Sequence, residues 1–189
     1  ADGLTYPGVY IVANNGSTVY ECDTDQIIME KTVSFDMVDK IWKLCKSRGI
    51  HIQTYTSDSV VSCADDEEIK VYTSKIFLPV ICTDNPLDIL SKEPYKLLAI
   101  ELSDKSILDK LQEDIIEAYG DTLNAIFSEP KYLEIFNKTA GKGDALIWLC
   151  NHLNIPVKNS YAAGDQMNDL SMVQASGNGI AMCNGVTPS

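Results

Sequence analysis

The last third of the chain alternates between helical and extended patterns, and this alternation most limits the folds open to it. Helices are predicted over residues 144–153 and 169–175, and strands over residues 160–163 and 179–182. Strands separated by helices are typical of a parallel sheet with crossover helices. The sequence therefore predicts an α/β, Rossmann-like arrangement in this region.

The middle of the chain contains more predicted strands than the last third, and their order along the chain is typical of antiparallel pairing. Strands are predicted over residues 26–33, 50–55, 78–82, 95–102, 123–128 and 132–136, and helices over residues 34–48, 65–77 and 104–119. We interpret this as one domain inserted into another. A partial core is expected at residues 1–16, where a strand leads into the insertion, and again at residues 138–189. A large α/β domain is expected at residues 17–137.

Charge and cysteine content narrow the functions to consider. The net charge of −12 argues against a nucleic-acid binder or a protein that docks on an anionic membrane, but not against a small anionic substrate. No apolar run is long enough to span a bilayer and no signal peptide is evident, so a cytoplasmic location is expected. None of the six cysteines forms a C-x-x-C pair, which argues against zinc and favours free, buried or partly buried thiols.

The stretch SYAAGDQMNDLSM, residues 160–172, carries the densest set of polar groups next to a predicted strand end. Asp165 follows Gly164 at the carboxyl end of the strand, where open parallel sheets bind ligands. Asp169 lies four residues on and can share a face with it, and two carboxylates suit Mg²⁺. Asn168 can donate its amide to a phosphate oxygen. The alternative is a helix cap followed by a solvated first turn.

A second candidate element is Lys142, which lies between Gly141 and Gly143 just before a predicted helix. An ammonium beside free backbone N–H groups suits a phosphate. This is not a Walker loop, because no Ser or Thr follows the lysine. Taken alone, the pattern around Lys142 favours a solvated loop lysine. His51 and His152 have no partner pattern and are predicted to be structural or exposed.

The two elements together resemble the haloacid dehalogenase superfamily in its Cof-like, type IIB branch. The segments YLEIFNKTAGKGDALIWLCNHLNIP and SYAAGDQMNDLSMVQASGNGIAMCNG resemble the C-terminal part of its core. YPGVYIVANNGSTVYE resembles the passage from the core into a large α/β cap domain that sets substrate specificity. Cys183 departs from the branch, which usually has glycine there.

The resemblance implies an Mg²⁺-dependent phosphatase that acts on a small phosphorylated metabolite, such as a sugar phosphate, through an aspartyl-phosphate. Lys142 then matches the lysine that orients the nucleophile and screens phosphate charge. Asp165 matches the metal-binding aspartate, and Asn168 the amide on the phosphate side. Asp169 matches the second acidic position of the metal site, acting directly or through water.

The nucleophile that this resemblance requires is missing from the sequence. The family's first motif is D-x-D-G-T, and Asp2-Gly3-Leu4-Thr5 only echoes it. We therefore expect a fragment that is inactive alone, with the N-terminal core segment as a possible separate chain. Two alternatives remain open: a non-catalytic binding or regulatory protein of the same fold, and a phosphomutase.

Overall fold

The computed structural model describes residues 7–74 and 76–183, with Met167 described by its backbone only. The strands are β1 (Tyr10–Ala13), β2 (Thr18–Glu21), β3 (Gln26–Glu30), β4 (His51–Tyr55), β5 (Val60–Ser62), β6 (Val80–Cys82), β7 (Lys96–Ile100), β8 (Leu123–Glu129), β9 (Tyr132–Asn137), β10 (Tyr161–Gly164) and β11 (Asn178–Ala181). The α-helices are α1 (Phe35–Ser47), α2 (Glu67–Thr73), α3 (Lys105–Tyr119), α4 (Lys142–His152) and α5 (Leu170–Ala175). The chain is thus a mixed α/β protein, as predicted.

The chain divides into two compact units, and their boundary differs from the one expected from the sequence. Residues 1–31 and 139–189 form one unit, here called the discontinuous unit, and residues 32–138 form the inserted unit. The sequence placed the first boundary after residue 16. In the structure β2 pairs with β1 and β3 pairs with β2, both antiparallel, so these strands extend the discontinuous unit. The stretch Asp2–Thr5 lies outside the described residues.

The discontinuous unit contains the predicted alternation of strand and helix. β10 and β11 pair in parallel, with Ala162 opposite Gly179, and α5 connects them. The ends of the two chain segments are joined at the boundary, where the Lys31 ammonium donates to the carbonyl oxygen of Thr139. A small core of Val19, Met29 and Ala145 ties the antiparallel strands to α4.

The inserted unit is built on one six-stranded sheet in the order β6-β5-β4-β7-β9-β8. All its pairs are antiparallel except β5–β6, which is parallel. One face is apolar because alternate residues such as Ile52, Leu97 and Ile135 point into the main core, where Leu108 and Leu111 of α3 pack. Burying these side chains supplies the main driving force for folding this unit.

Helix α1 covers the same core and begins where the sequence predicted. The Ser34 hydroxyl accepts from the Met37 N–H at 3.4 Å, which satisfies one of the free donors of the first turn. Trp42 is fully buried, and its indole N–H donates to the Asp84 carbonyl at 3.1 Å. Gly49 follows the helix with φ +68°, a conformation that favours glycine.

All six cysteines are free thiols, as predicted, although Cys82 and Cys183 are exposed rather than buried. Among the described residues, no helix combines the length and the apolar character needed to cross a bilayer.

Candidate active site

The candidate site forms at the carboxyl end of β10, where the chain turns from the strand into α5. Asp165 and Gln166 follow the strand, and residues 167–169 make one 3₁₀ turn before the helix begins. Gly164 is required at the strand end because a Cβ there would overlap the Cβ of Asp169 and lie 3.1 Å from its Cγ. Because Gly164 has no side chain, the Asp169 side chain can pack directly against the backbone at the end of β10.

Asp169 is the organising residue of this turn. It is buried, and its Oδ2 accepts from the backbone N–H groups of Asp165 and Gln166, both at 3.2 Å. Its Oδ1 accepts from the ammonium of Lys142. Burial alone would raise the pKa of the Asp169 carboxyl, but the bonds from Lys142, Gln166 and Asp165 outweigh burial and lower that pKa. Asp169 is therefore an ionised carboxylate at neutral pH.

Lys142 reaches Asp169 because the start of α4 is held in two places. Gly16, with φ +91°, packs directly against the backbone of Gly141, where any side chain would overlap. The Gly143 N–H donates to the Ser171 hydroxyl at 3.3 Å, which ties the first turn of α4 to α5. Sequence reasoning did not identify Ser171. Its position two residues after Asp169, on the helix that follows the acidic motif, was the available signal.

Asp165 and Asn168 are the two members of the motif that leave ligand groups unused. Asp165 is exposed at the strand end. The Oδ1 of Asn168 is buried, with no hydrogen-bond partner among the residues that the structure describes. Buried oxygens normally have a partner, so this one suits a cation or a donor supplied by a ligand. One carboxylate and one amide oxygen are the hard ligands that Mg²⁺ prefers, with waters completing its shell.

The four residues singled out from the sequence thus lie in one unit and adopt two kinds of role. Lys142 and Asp169 contact each other, whereas Asp165 precedes the 3₁₀ turn and Asn168 lies within it. Both carboxylate oxygens of Asp169 already accept hydrogen bonds from the protein. The arrangement offers one fixed cation, one exposed carboxylate and one unsatisfied amide oxygen. This combination suits an anionic group held together with a hard metal ion.

The chain is similar to known proteins over most of its length. The family model described as haloacid dehalogenase-like hydrolase matches residues 3–188. A Buchnera aphidicola protein provisionally named a phosphatase is 30% identical over 182 residues, which are 96% of this chain and 64% of that protein. A Bacillus subtilis phosphatase of 5-amino-6-(5-phospho-D-ribitylamino)uracil is 28% identical, over 98% of this chain and 71% of that protein. The chain therefore spans about two thirds of the length of these relatives.

Solved structures show the same fold. A sugar phosphatase of haloacid dehalogenase subclass IIB superposes with a TM-score of 0.76 at 15% identity, over 94% of this chain and 65% of that one. Its low identity limits this likeness to the fold. The family match covers nearly the whole chain, including the lysine and acidic elements of the candidate site. This chain belongs to the haloacid dehalogenase-like hydrolases, with the fold of their Cof-like, type IIB branch.

Proposed function

We propose that the protein is an Mg²⁺-dependent phosphatase whose substrate is a small phosphorylated metabolite, such as a sugar phosphate. The single observation that carries this proposal is the turn after β10. There, the buried Asp169 accepts from the Lys142 ammonium through one oxygen. Its other oxygen accepts from the backbone N–H of the exposed Asp165. Phosphoryl transfer depends mainly on positioning and on neutralising charge, and this turn supplies both.

Each residue has a defined part in the proposal. Asp165 and the Oδ1 of Asn168 would hold Mg²⁺, which when bound neutralises phosphate charge. The Asn168 amide N–H and the Lys142 ammonium would donate to phosphate oxygens. Asp169 positions Lys142 and contributes to the metal site through water, because both its oxygens already accept from protein donors.

The nucleophile is the group that this sequence does not supply, since it contains no D-x-D-G-T motif. We propose that the aspartyl-phosphate forms on an aspartate outside these 189 residues, carried by an N-terminal core segment. The 189-residue chain alone should then bind phosphate and metal without turnover.

Substrate choice and location are also parts of the proposal. An insertion of this size in a phosphatase of this family supports a cap role, in which the inserted unit sets specificity. The phosphorylated ribitylaminouracil in the name of the Bacillus subtilis relative supports a small metabolite as substrate. Six free thiols support a reducing, cytoplasmic location.

The test compares this chain with the full product of the gene on a panel of phosphate esters, with and without Mg²⁺. We expect Mg²⁺-dependent release of phosphate by the full product, its loss in Asp165→Ala, and no release by the 189-residue chain. Turnover by the 189-residue chain that Asp165→Ala abolishes would overturn the proposal for the nucleophile. If the full product binds phosphate but hydrolyses no ester, the alternative of a non-catalytic binding or regulatory protein is favoured. If it moves phosphate between two positions of one substrate, the phosphomutase is favoured.

A further inference from the structure

Three side chains that could each bind a metal ion meet in the inserted unit. His51 begins β4, Cys63 follows β5 directly, and Asp66 precedes α2. Their nearest ligand atoms, an imidazole nitrogen, the thiol sulfur and a carboxylate oxygen, all lie within 4.8 Å of one another. No other group of three such residues occurs in the part of the chain that the structure describes. Neither the fold nor the phosphatase proposal gives this cluster a task.

Both ring nitrogens of His51 have a polar neighbour, Asp66 at Nδ1 and Gln53 at Nε2. Its Nε2 lies 3.2 Å from Gln53 Oε1, while the Gln53 amide group donates to the Tyr55 hydroxyl at 2.9 Å. With its amide in this orientation Gln53 presents an acceptor to His51, and the tautomer that carries the ring proton on Nε2 fits that acceptor. In the neutral ring Nδ1 then has only a lone pair, and it faces Asp66 Oδ2 at 2.8 Å.

Two acceptors at this distance repel each other unless a positive charge lies between them. In the tautomer protonated at Nε2, a metal ion at Nδ1 would remove the conflict. The His51 side chain is only 1% exposed. The hydrogen bond from Nε2–H to Gln53 is also the outer contact that metal-binding histidines usually make, because it fixes the tautomer and the ring orientation.

Asp66 and Cys63 are both arranged to act as ligands. Asp66 Oδ1 accepts from the Ile69 N–H at 3.1 Å and caps α2, which leaves Oδ2 for a second partner. Cys63 Sγ accepts from the Ile52 N–H at 3.3 Å, a bond that a thiolate would strengthen. Burial raises the pKa of the Cys63 thiol, so metal binding would release a proton from it.

We propose that His51 Nδ1, Cys63 Sγ and Asp66 Oδ2 form a binding site for a borderline-soft divalent ion such as Zn²⁺. Nitrogen and sulfur ligands select this class of ion over Mg²⁺. The Cys63 thiolate and the Asp66 carboxylate together neutralise the charge of the divalent ion, which favours its binding in a half-buried site. Bonds of about 2.0 to 2.3 Å place tetrahedral ligand atoms roughly 3 to 4 Å apart. The His51–Asp66 pair then needs to open by only about 0.5 Å. Water completes the shell at the exposed side of Asp66.

The experiment titrates the reduced, chelator-treated 189-residue chain with Co²⁺ in saturating Mg²⁺, which occupies oxygen-only sites such as the one around Asp165. We expect one equivalent of Co²⁺ to bind with a thiolate-to-cobalt charge-transfer band, and Zn²⁺ to remove that band. Cys63→Ser should abolish the band and weaken binding more than about tenfold. Cys82→Ser is the matched control, because Cys82 is an exposed thiol on the neighbouring strand β6. It should leave the band unchanged.

Absence of the band in the wild-type chain would overturn the proposal, as would a band kept in Cys63→Ser or lost in Cys82→Ser. Circular dichroism of each variant confirms that it is folded. Should Cys63→Ser not fold, Asp66→Asn decides the question, because an amide oxygen still caps α2 but no longer supplies a charged ligand. Its unchanged Co²⁺ affinity would equally contradict the site. The result is independent of the proposed phosphatase function.

Discussion

Lys142 and Asp169 form an ion pair that joins the first residue of α4 to the turn after β10. The same carboxylate binds the backbone N–H groups of Asp165 and Gln166 through its other oxygen. One buried carboxylate therefore fixes both the cation of the candidate site and the backbone that carries its exposed carboxylate. A change at Asp169 should disturb two functional groups at once.

The lowered pKa of Asp169 makes part of the stability depend on pH. A carboxyl whose folded pKa lies below the ordinary value of about 3.9 stabilises the folded chain above that value. This contribution is lost as the pH falls through the ordinary value and then through the folded pKa. We expect Asp169→Asn to lower the free energy of unfolding by about 2 kcal/mol at pH 7. The difference from wild type should shrink on going to pH 3. Urea unfolding across this range measures it, and a difference independent of pH would contradict the assignment.

Replacing Lys142 with methionine tests the pair from the other side. Lys142→Met removes the only ammonium that contacts Asp169 among the described residues, while keeping most of the side-chain volume. We expect the pKa of Asp169 to rise, because the remaining backbone donors must then act against burial without Lys142. Inorganic phosphate should also bind more weakly. Carboxyl NMR titration and phosphate binding in Mg²⁺ measure the two effects. An unchanged Asp169 titration would show that the pair is not formed in solution.

Asp165 should matter for metal binding and not for folding, because it is exposed and its backbone, rather than its side chain, binds Asp169. We expect Asp165→Asn to weaken Mg²⁺ binding at least about tenfold, with the free energy of unfolding changed by less than about 0.5 kcal/mol. Isothermal titration calorimetry and urea unfolding test the two parts. Asp25→Asn is the control, since Asp25 is an exposed aspartate of the same unit. If both variants lost Mg²⁺ affinity equally, the effect would come from the net charge of the protein and not from a specific site.

The main core should be far more sensitive to truncation than the outer face of the same helix. Leu111 of α3 is fully buried, whereas Ile116 is 52% exposed. We expect Leu111→Ala to destabilise the inserted unit by about 2 to 5 kcal/mol, through lost burial and the cavity left behind. Ile116→Ala should cost less than about 1 kcal/mol. Urea unfolding followed by tryptophan fluorescence in a Trp148→Phe background, where Trp42 of the same core is the emitter, measures both. Comparable losses would mean that α3 packs differently.

Local sequence patterns predicted most of the secondary structure. Helix α1 has a serine cap and a terminal glycine, and the strand pair β8–β9 has a turn at Glu129-Pro130 that marks its hairpin. The strand β5 was missed because three residues, Val60–Ser62, are too few to show a period. Helix α2 ends at Thr73 and not near Phe77. Phe77, to which the helix was predicted to extend, lies beyond it and is fully exposed.

Long-range contacts explain the remaining differences. The domain boundary was placed at residue 16 because nothing local in β2 and β3 shows that they pair back onto β1. The acidic motif and Lys142 were found from their spacing, but the hydrogen bonds that occupy both oxygens of Asp169 depend on how α4 docks. The His51–Cys63–Asp66 cluster was missed because its members come from three separate elements. The short C-x-x-D run of Cys63 and Asp66 was its only local trace.

The discontinuous make-up of the unit that carries the candidate site has a consequence for how the protein is made. Residues 32–138 are continuous, so the inserted unit can fold as soon as the ribosome has released them. Strands β1 to β3 are synthesised before the inserted unit but must wait for α4 to cover Val19 and Met29. These strands are therefore made before the inserted unit but completed after it. During that interval its apolar residues depend on the rapid arrival of the C-terminal segment, or on a chaperone.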